Sequence, residues 1–218
     1  MELERALPRK AMSRALWALL FGNFIIGCGV MAIGGVLNDL TRDLNITVSK
    51  GGELIAIGAV MMGVGAPLLA GAVTKVDRRR LLSWAMVWYA LGFALCAVAP
   101  SYEWLWPIRA LTVLSAAVFT PQAAAVMGFM STPAHRGRHI TFVFMGWSVA
   151  SVAGMPLAAW IGERVGWRVV MMIVAVGALA AAWMVHRALP KGIRPPALSW
   201  RAWRKVFKSP LLMAVVLV

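Results

Sequence analysis

Six runs of about twenty mostly apolar residues constrain this chain more than anything else in it. They fall at about 15–37, 53–73, 81–99, 104–128, 140–161 and 168–186. A helix rises about 1.5 Å per residue, so a run of this length crosses about 30 Å of hydrocarbon. Inside a bilayer every backbone N–H and C=O must be paired within the protein, and a helix does this within one segment. The chain therefore reads as an all-α membrane protein with six transmembrane helices. Composition agrees: 61% of residues are hydrophobic, 14% are charged, and the mean hydropathy is +0.77. A soluble domain of 218 residues needs more polar surface than that.

The net charge of +14 would suit a nucleic-acid partner only if the cations shared one solvated face, and they do not. They sit in the short segments between apolar runs, which points to the lipid bilayer and not to nucleic acid. With the N-terminus in the cytoplasm, 17 Lys and Arg lie on the cytoplasmic side. Only Arg42, Lys50, Arg164 and Arg168 lie opposite, and Arg109 is within a span. That bias sets the expected orientation. The basic N-terminus is followed by an apolar run too long for a signal peptide, so it is read as a retained first span. The location expected is the cell inner membrane, multi-pass.

Gly65–Arg79 returns 89 residues later as Gly154–Arg168, with six identities over fifteen ungapped positions. Gly65, Pro67, Leu68, Ala70, Val76 and Arg79 meet Gly154, Pro156, Leu157, Ala159, Val165 and Arg168. Repetition of this kind suggests a duplicated helical unit. Three segments follow from the pattern: a six-helix bundle over 1–186, a central loop over 187–209, and a seventh span begun at 210–218. The loop carries Trp200, Trp203, Val206 and Phe207 on one helical arc and Arg201, Arg204, Lys205 and Lys208 on another. That arrangement fits an interfacial helix, with a solvated linker as the alternative. Because the seventh run stops at Val218, the chain reads as a piece of a longer protein.

This organisation resembles the N-terminal half of the major facilitator superfamily. Residues Ala70–Arg80 look like the family's loop signature, Gly-x-x-x-Asp-Arg-x-Gly-Arg-Arg. Lys75, Arg78 and Arg79 hold the basic positions, whereas Ala70, Thr74 and Asp77 depart from the pattern. Arg109 matches the family's membrane-embedded arginine. Gly146–Gly162, through Gly154-Met155-Pro156, looks like the antiporter signature of span five. With Asn38–Thr47, these stretches are similar to bacterial drug- and sugar-efflux proteins of the drug:proton antiporter-1 type. The resemblance implies six helices as a 3+3 inverted repeat, a C-terminal half as partner, and proton-coupled efflux of a small amphiphilic compound or sugar by alternating access. The alternative is a half-transporter that moves nothing, or a membrane assembly module.

Candidate site residues follow from cost and position. A permanent cation mid-span costs about 2.5–3.5 kcal/mol on insertion scales unless a cavity or partner receives it. Arg109 is accordingly expected to face the central cavity and meet Asn23 or a carboxylate; the alternative is a clamp on backbone carbonyls. Asn23, Thr112, Thr120, Gln122, Ser148 and Ser151 are the polar groups available to that cavity. Gly146, Ala150, Gly154, Ala158 and Gly162 recur every four residues, a small face that permits close helix approach. Pro156 invites a kink there. The face serves either as a hinge between halves or as packing within one. Lys75, Asp77, Arg78 and Arg79 form either a gate latch or a positive-inside anchor.

Proton coupling needs a titratable group, and the acids Asp39, Glu53, Glu103 and Glu163 all lie at span ends. No nucleophile–base pair, phosphate loop, metal-ligand spacing or cofactor motif is present in the sequence, so no enzyme is expected. Cys28 and Cys96 read as small hydrophobes. The orientation has a direct test. On a background lacking Cys28 and Cys96, a cysteine at Ser101 should react with an impermeant maleimide from outside only; labelling from the cytoplasm alone would invert the topology.

Overall fold

The computed structural model describes residues 8–73 and 76–193. Among these, seven helices follow one another: α1 (Arg9–Gly35), α2 (Leu37–Asp43), α3 (Val48–Ala72), α4 (Arg78–Val98), α5 (Tyr102–Met130), α6 (Arg136–Val165) and α7 (Trp167–Ala188). All but α2 are long and apolar enough to span a membrane. Each of the six overlaps one of the apolar runs and extends it by a turn or so into polar residues. Charged and capping residues begin a helix as readily as apolar ones, but hydropathy does not register them.

Local chemistry sets several of the ends. The Thr47 hydroxyl accepts from Lys50 N at 3.3 Å and caps α3. The Asp77 carboxylate accepts from Arg80 N at 3.3 Å and caps α4. Only Gly166 separates α6 from α7, and its φ of 89° lies in the left-handed region that glycine adopts without strain. The segment after span one, read as a motif and not as an element, begins as the short helix α2. Val36 links it to α1 almost without a break, its N–H bonding to Ala32 and its carbonyl accepting from Leu40 N. Pro156 does not end α6, which continues to Val165; Pro67, Pro107 and Pro121 likewise sit inside continuous helices.

The packing follows the duplication. Helix α1 lies along α6 and α7, α4 along α7 and α5, and α3 along α5. Replacing α1, α3 and α4 by α5, α6 and α7 turns α1–α6 into α5–α3 and α1–α7 into α5–α4, and leaves α4–α7 unchanged. Each of these pairs is in contact. Because a repeat holds three spans, its copy runs through the membrane in the opposite sense. The 3+3 inverted repeat is thus built into the contacts. It reaches single residues: a Cβ on Gly65 would lie 3.4 Å from Ala117 Cβ, and one on Gly154 would lie 3.3 Å from Cys28 Cα. Gly65 and Gly154, and Cys28 and Ala117, are both 89 positions apart.

The small face of α6 is buried against α1. Gly146, Ala150, Gly154, Ala158 and Gly162 are all buried. A Cβ on Gly27 would come within 2.6 Å of Ala150 Cβ, and one on Gly35 within 2.9 Å of Ala158 Cβ. The face is thus packed closely against α1 inside the bundle.

The seam is tightest at Gly146, where a Cβ would overlap the Leu20 carbonyl oxygen and lie 2.8 Å from Phe24 N. At Gly154 the nearest atom stands 3.3 Å away. Gly146→Ala should therefore destabilise the bundle by about 1–3 kcal/mol, the usual cost of overpacking. Gly154→Ala should cost clearly less. Unfolding of the two variants in detergent, followed by tryptophan fluorescence, checks the order.

Candidate functional site

Two polar arrangements lie inside the bundle. The first is Arg109 on α5, which is 1% exposed. Its Nη2 lies 3.5 Å from the Val30 carbonyl of α1, and its guanidinium carbon stands 5.4 Å from the centre of the Phe93 ring on α4. Nε and Nη1 are buried without a protein partner. Gly58 of α3 faces the same group: a Cβ there would be 3.9 Å from Nη2. Thus α1, α3, α4 and α5 together enclose one cation. Tyr89 and Phe93 pack at 4.7 Å between ring centres beside it, with Tyr89 donating to the Ile26 carbonyl at 2.9 Å. Sequence reasoning did not single out Tyr89, Phe93 or Gly58, because an aromatic or glycine in an apolar helix carries no polarity signal.

The second arrangement is a hydrogen-bonded chain across α6, α5 and α1. The Trp147 indole donates to Thr120 Oγ1 at 3.3 Å, and Thr120 donates to Asn23 Oδ1 at 3.0 Å. Asn23 Nδ2 donates to the Val143 carbonyl at 3.3 Å. Asn23 is fully buried, and Thr120 and Trp147 are half-buried. The expected Arg109–Asn23 meeting does not occur, since each finds other partners. Nor does Arg109 open onto an outer face of the bundle; its one close oxygen is a backbone carbonyl of the same six helices.

The remaining candidates are dispersed. Thr112 is buried against Gly92 of α4, its hydroxyl donating to the Ile108 carbonyl at 2.6 Å. Gln122 is half-buried, while Ser148 and Ser151 are exposed on α6, where Ser151 donates to the Trp147 carbonyl. Pro156 is also exposed on α6. Asp77 caps α4 and also accepts from Gly192 N, and Arg78 N donates to the Ile193 carbonyl at 3.0 Å. The buried Arg78 guanidinium donates to the Val73 carbonyl at 2.6 Å. These contacts tie the start of α4 to the chain just beyond α7. Lys75, Thr74, the 194–209 part of the central loop expected over 187–209, and the seventh span expected at 210–218 lie outside the described residues.

The opposite end carries a matching clasp. Arg168 at the start of α7 pairs with Asp43 and donates to the Ala99 carbonyl beyond α4, and the Trp167 indole donates to Asp43 at 3.0 Å. The hydrogen bonds from Arg168 and then Trp167 hold the Asp43 carboxyl below the usual carboxylate range. The pair α4–α7 is thus fastened at both ends.

Residues 19–218 match the Major Facilitator Superfamily. The chain belongs to that superfamily. It is 34% identical over 81% of its length to the inner membrane transport protein YdhP of Escherichia coli K12, covering 46% of that protein. It is 29% identical over 95% of its length to a chloramphenicol resistance protein of Streptomyces lividans, covering 54% of it. The chain spans about half the length of the curated relatives it matches. Among solved structures, the peptide transporter POT in complex with sulfate superposes with a TM-score of 0.73 at 15% identity. That match covers 94% of this chain and 44% of POT. The proton:xylose symporter XylE gives 0.69 at 14% identity, over 95% and 52% of the respective chains. At such identities these matches establish the fold alone.

A buried cation with two unpartnered nitrogens is costly to the bundle. Arg109→Met keeps most of the volume and removes the charge, so its melting temperature in detergent should equal or exceed that of the parent. Arg109→Ala removes the side chain and should be less stable than the Met variant by about 2–5 kcal/mol, the range for large-to-small core changes. A Met variant as unstable as the Ala variant would mean that the guanidinium itself holds the helices together.

Proposed function

We propose that this chain is one six-helix half of a secondary transporter that exports small amphiphilic compounds by alternating access. The observation that carries the reading is that one repeat-related pair of helices, α3 and α6, is far less buried than the other four spans. Only 17% and 22% of the span windows of α3 and α6 are buried, against 44–61% in the other four. Val60, Val64 and Leu68 on α3, and Val149, Val152 and Leu157 on α6, stand exposed. Helices α3 and α6 are equivalent under the repeat, so the bundle presents two related flanks to a second six-helix half. A substrate path would then run between the halves, beside α1 and α5, which the duplication also relates.

In this reading the Trp147–Thr120–Asn23 chain supplies a polar patch on the wall of the path. Ser148 and Gln122 are further contacts for substrate or for the other half. Arg109 acts through its field, as a fixed positive charge behind that wall which favours an anionic or deprotonated group nearby. Coupling to protons needs a carboxylate on the facing half or at Asp39. Asp77, Arg78 and Arg79 form the cytoplasmic latch, with the N-terminus and the Asp77–Gly192 clasp on that side. Likeness to the chloramphenicol resistance protein supports efflux over uptake, and the location follows as the bacterial inner membrane.

The test uses everted vesicles containing the chain joined to a second six-helix half, with ethidium and chloramphenicol as probes. Proton-gradient-dependent accumulation, abolished by ionophore, is expected. Arg109→Ala should abolish flux per inserted molecule and Arg109→Lys should weaken it, because a compact, more strongly hydrated ammonium is less readily held at the same buried place than a guanidinium. Correct insertion with no flux of either probe would favour the assembly-module reading instead.

A further inference from the structure

The outward side of the α4–α7 pair is apolar along its length. On α4, Trp84, Trp88, Leu91, Leu95 and Val98 are exposed at alternating spacings of four and three. On α7, Val169, Ile173, Val176, Leu179 and Trp183 are exposed at spacings of four, three, three and four. Such a surface belongs against acyl chains. At the end where α4 begins and α7 finishes, it passes into a cluster of cations.

There, a cavity of about 440 Å³ is lined by Asp77, Arg79, Arg80, His186, Lys191 and Gly192. The acid among these is already engaged, one Asp77 oxygen with Arg80 N and the other with Gly192 N. Among the described residues the cations are not: Arg79 Nε is buried with no partner there, and Arg80 and Lys191 are exposed. Directly below, and sharing His186, runs a second groove of about 380 Å³ between α4 and α7. Its lining is mostly apolar, Val87, Leu179 and Ala182 between the exposed rings of Trp84 and Trp183, with Ser83 at the top. The Ser83 hydroxyl is occupied, donating to the Arg79 carbonyl at 2.8 Å. From Arg80 to Val87 the groove descends about 10 Å along the helix axis, at about 1.5 Å per residue.

We propose that this cup and groove form a binding site for an anionic phospholipid of the leaflet that the cup faces. The phosphate sits among Arg79, Arg80, His186 and Lys191, and one acyl chain lies in the groove between Trp84 and Trp183. Three features select this ligand over a free anion. The cation cluster supplies charge-assisted donors to phosphate oxygens. The apolar groove leads from that cluster towards the hydrocarbon, where only a ligand with a chain gains by entering it. The flanking indoles are the side chains that favour the headgroup boundary. By bridging Arg79 and Arg80 on α4 to Lys191 beyond α7, the lipid reinforces the clasp already made by Asp77 with Gly192.

The test is lipid binding to the purified 218-residue chain in detergent micelles by native mass spectrometry, comparing palmitoyl-oleoyl phosphatidylglycerol with the phosphatidylcholine of the same chains. Phosphatidylglycerol should be retained in clear preference. Arg80→Gln with Lys191→Gln, both at exposed positions, should weaken it by about twenty-five-fold, each surface cation being worth about fivefold. Arg9→Gln with Arg138→Gln, which removes two cations lining a separate cavity between the starts of α1 and α6, should leave the preference intact. Trp84→Ala with Trp183→Ala should weaken both lipids alike, and inorganic phosphate in millimolar excess should fail to displace bound lipid. Equal retention of the two lipids, an unchanged preference in the Arg80/Lys191 variant, or displacement by inorganic phosphate would each overturn the proposal.

Discussion

Everything in this bundle depends on how closely α1 can approach α6. In lipid there is no hydrophobic drive to bring two apolar helices together, because acyl chains solvate a leucine as well as another leucine does. Dispersion and weak polar contacts must hold them, and these require the backbones to come near. On α6, Gly146 meets Leu20 and Phe24 of α1, Ala150 meets Gly27, Gly154 meets Cys28, Ala158 meets Gly35, and Gly162 meets Val36 just beyond α1. The duplicated seam of α3 on α5, through Gly65 and Ala117, repeats the device on the other side of the pseudo-twofold axis.

Once those seams are set, α1 and α5 are drawn into the centre and α4 and α7 close the back. That arrangement creates the two polar sites. Asn23 is brought to Thr120 because α1 and α5 are repeat partners lying side by side, and Trp147 reaches them because the small face of α6 keeps it near. Arg109 is surrounded in the same way. Tyr89 and Phe93 occupy the space left by Gly29, where a Cβ would lie 2.7 Å from the Phe93 ring. The charged residues serve the ends of the bundle: Asp77, Arg78 and the chain after α7 on one side, Asp43, Trp167 and Arg168 on the other.

The candidate site was legible in its members and not in its wiring. Arg109 and Asn23 stood out because an ionised or amide side chain in an apolar run has a cost that something must offset. Their partners did not stand out. Val30 and Val143 act through backbone carbonyls, which every residue has. Phe93 and Gly58 are indistinguishable in sequence from aromatics and glycines elsewhere in the spans. Trp147, a mostly apolar side chain, joins through its one N–H. Trp84 and Trp183, exposed on the outside, are as apolar in sequence as Phe93 and Trp167, buried on the same helices.

The amino-acid sequence by itself determined the number of spans, the superfamily, and the duplication with its offset of 89 residues, because length, hydropathy and repetition are one-dimensional properties. Loop charge set the orientation expected for them by the same kind of reading. Which side of each helix faces inward was decided only in three dimensions. A soluble helix declares its buried side by being apolar on one face and polar on the other. A helix in lipid is apolar all round, so Leu82 and Met86 in the core and Trp84 and Leu91 on the outside of α4 read alike. Inside and outside then differ in fit and not in polarity. Fit is a property of two helices together, and only the packed bundle holds it.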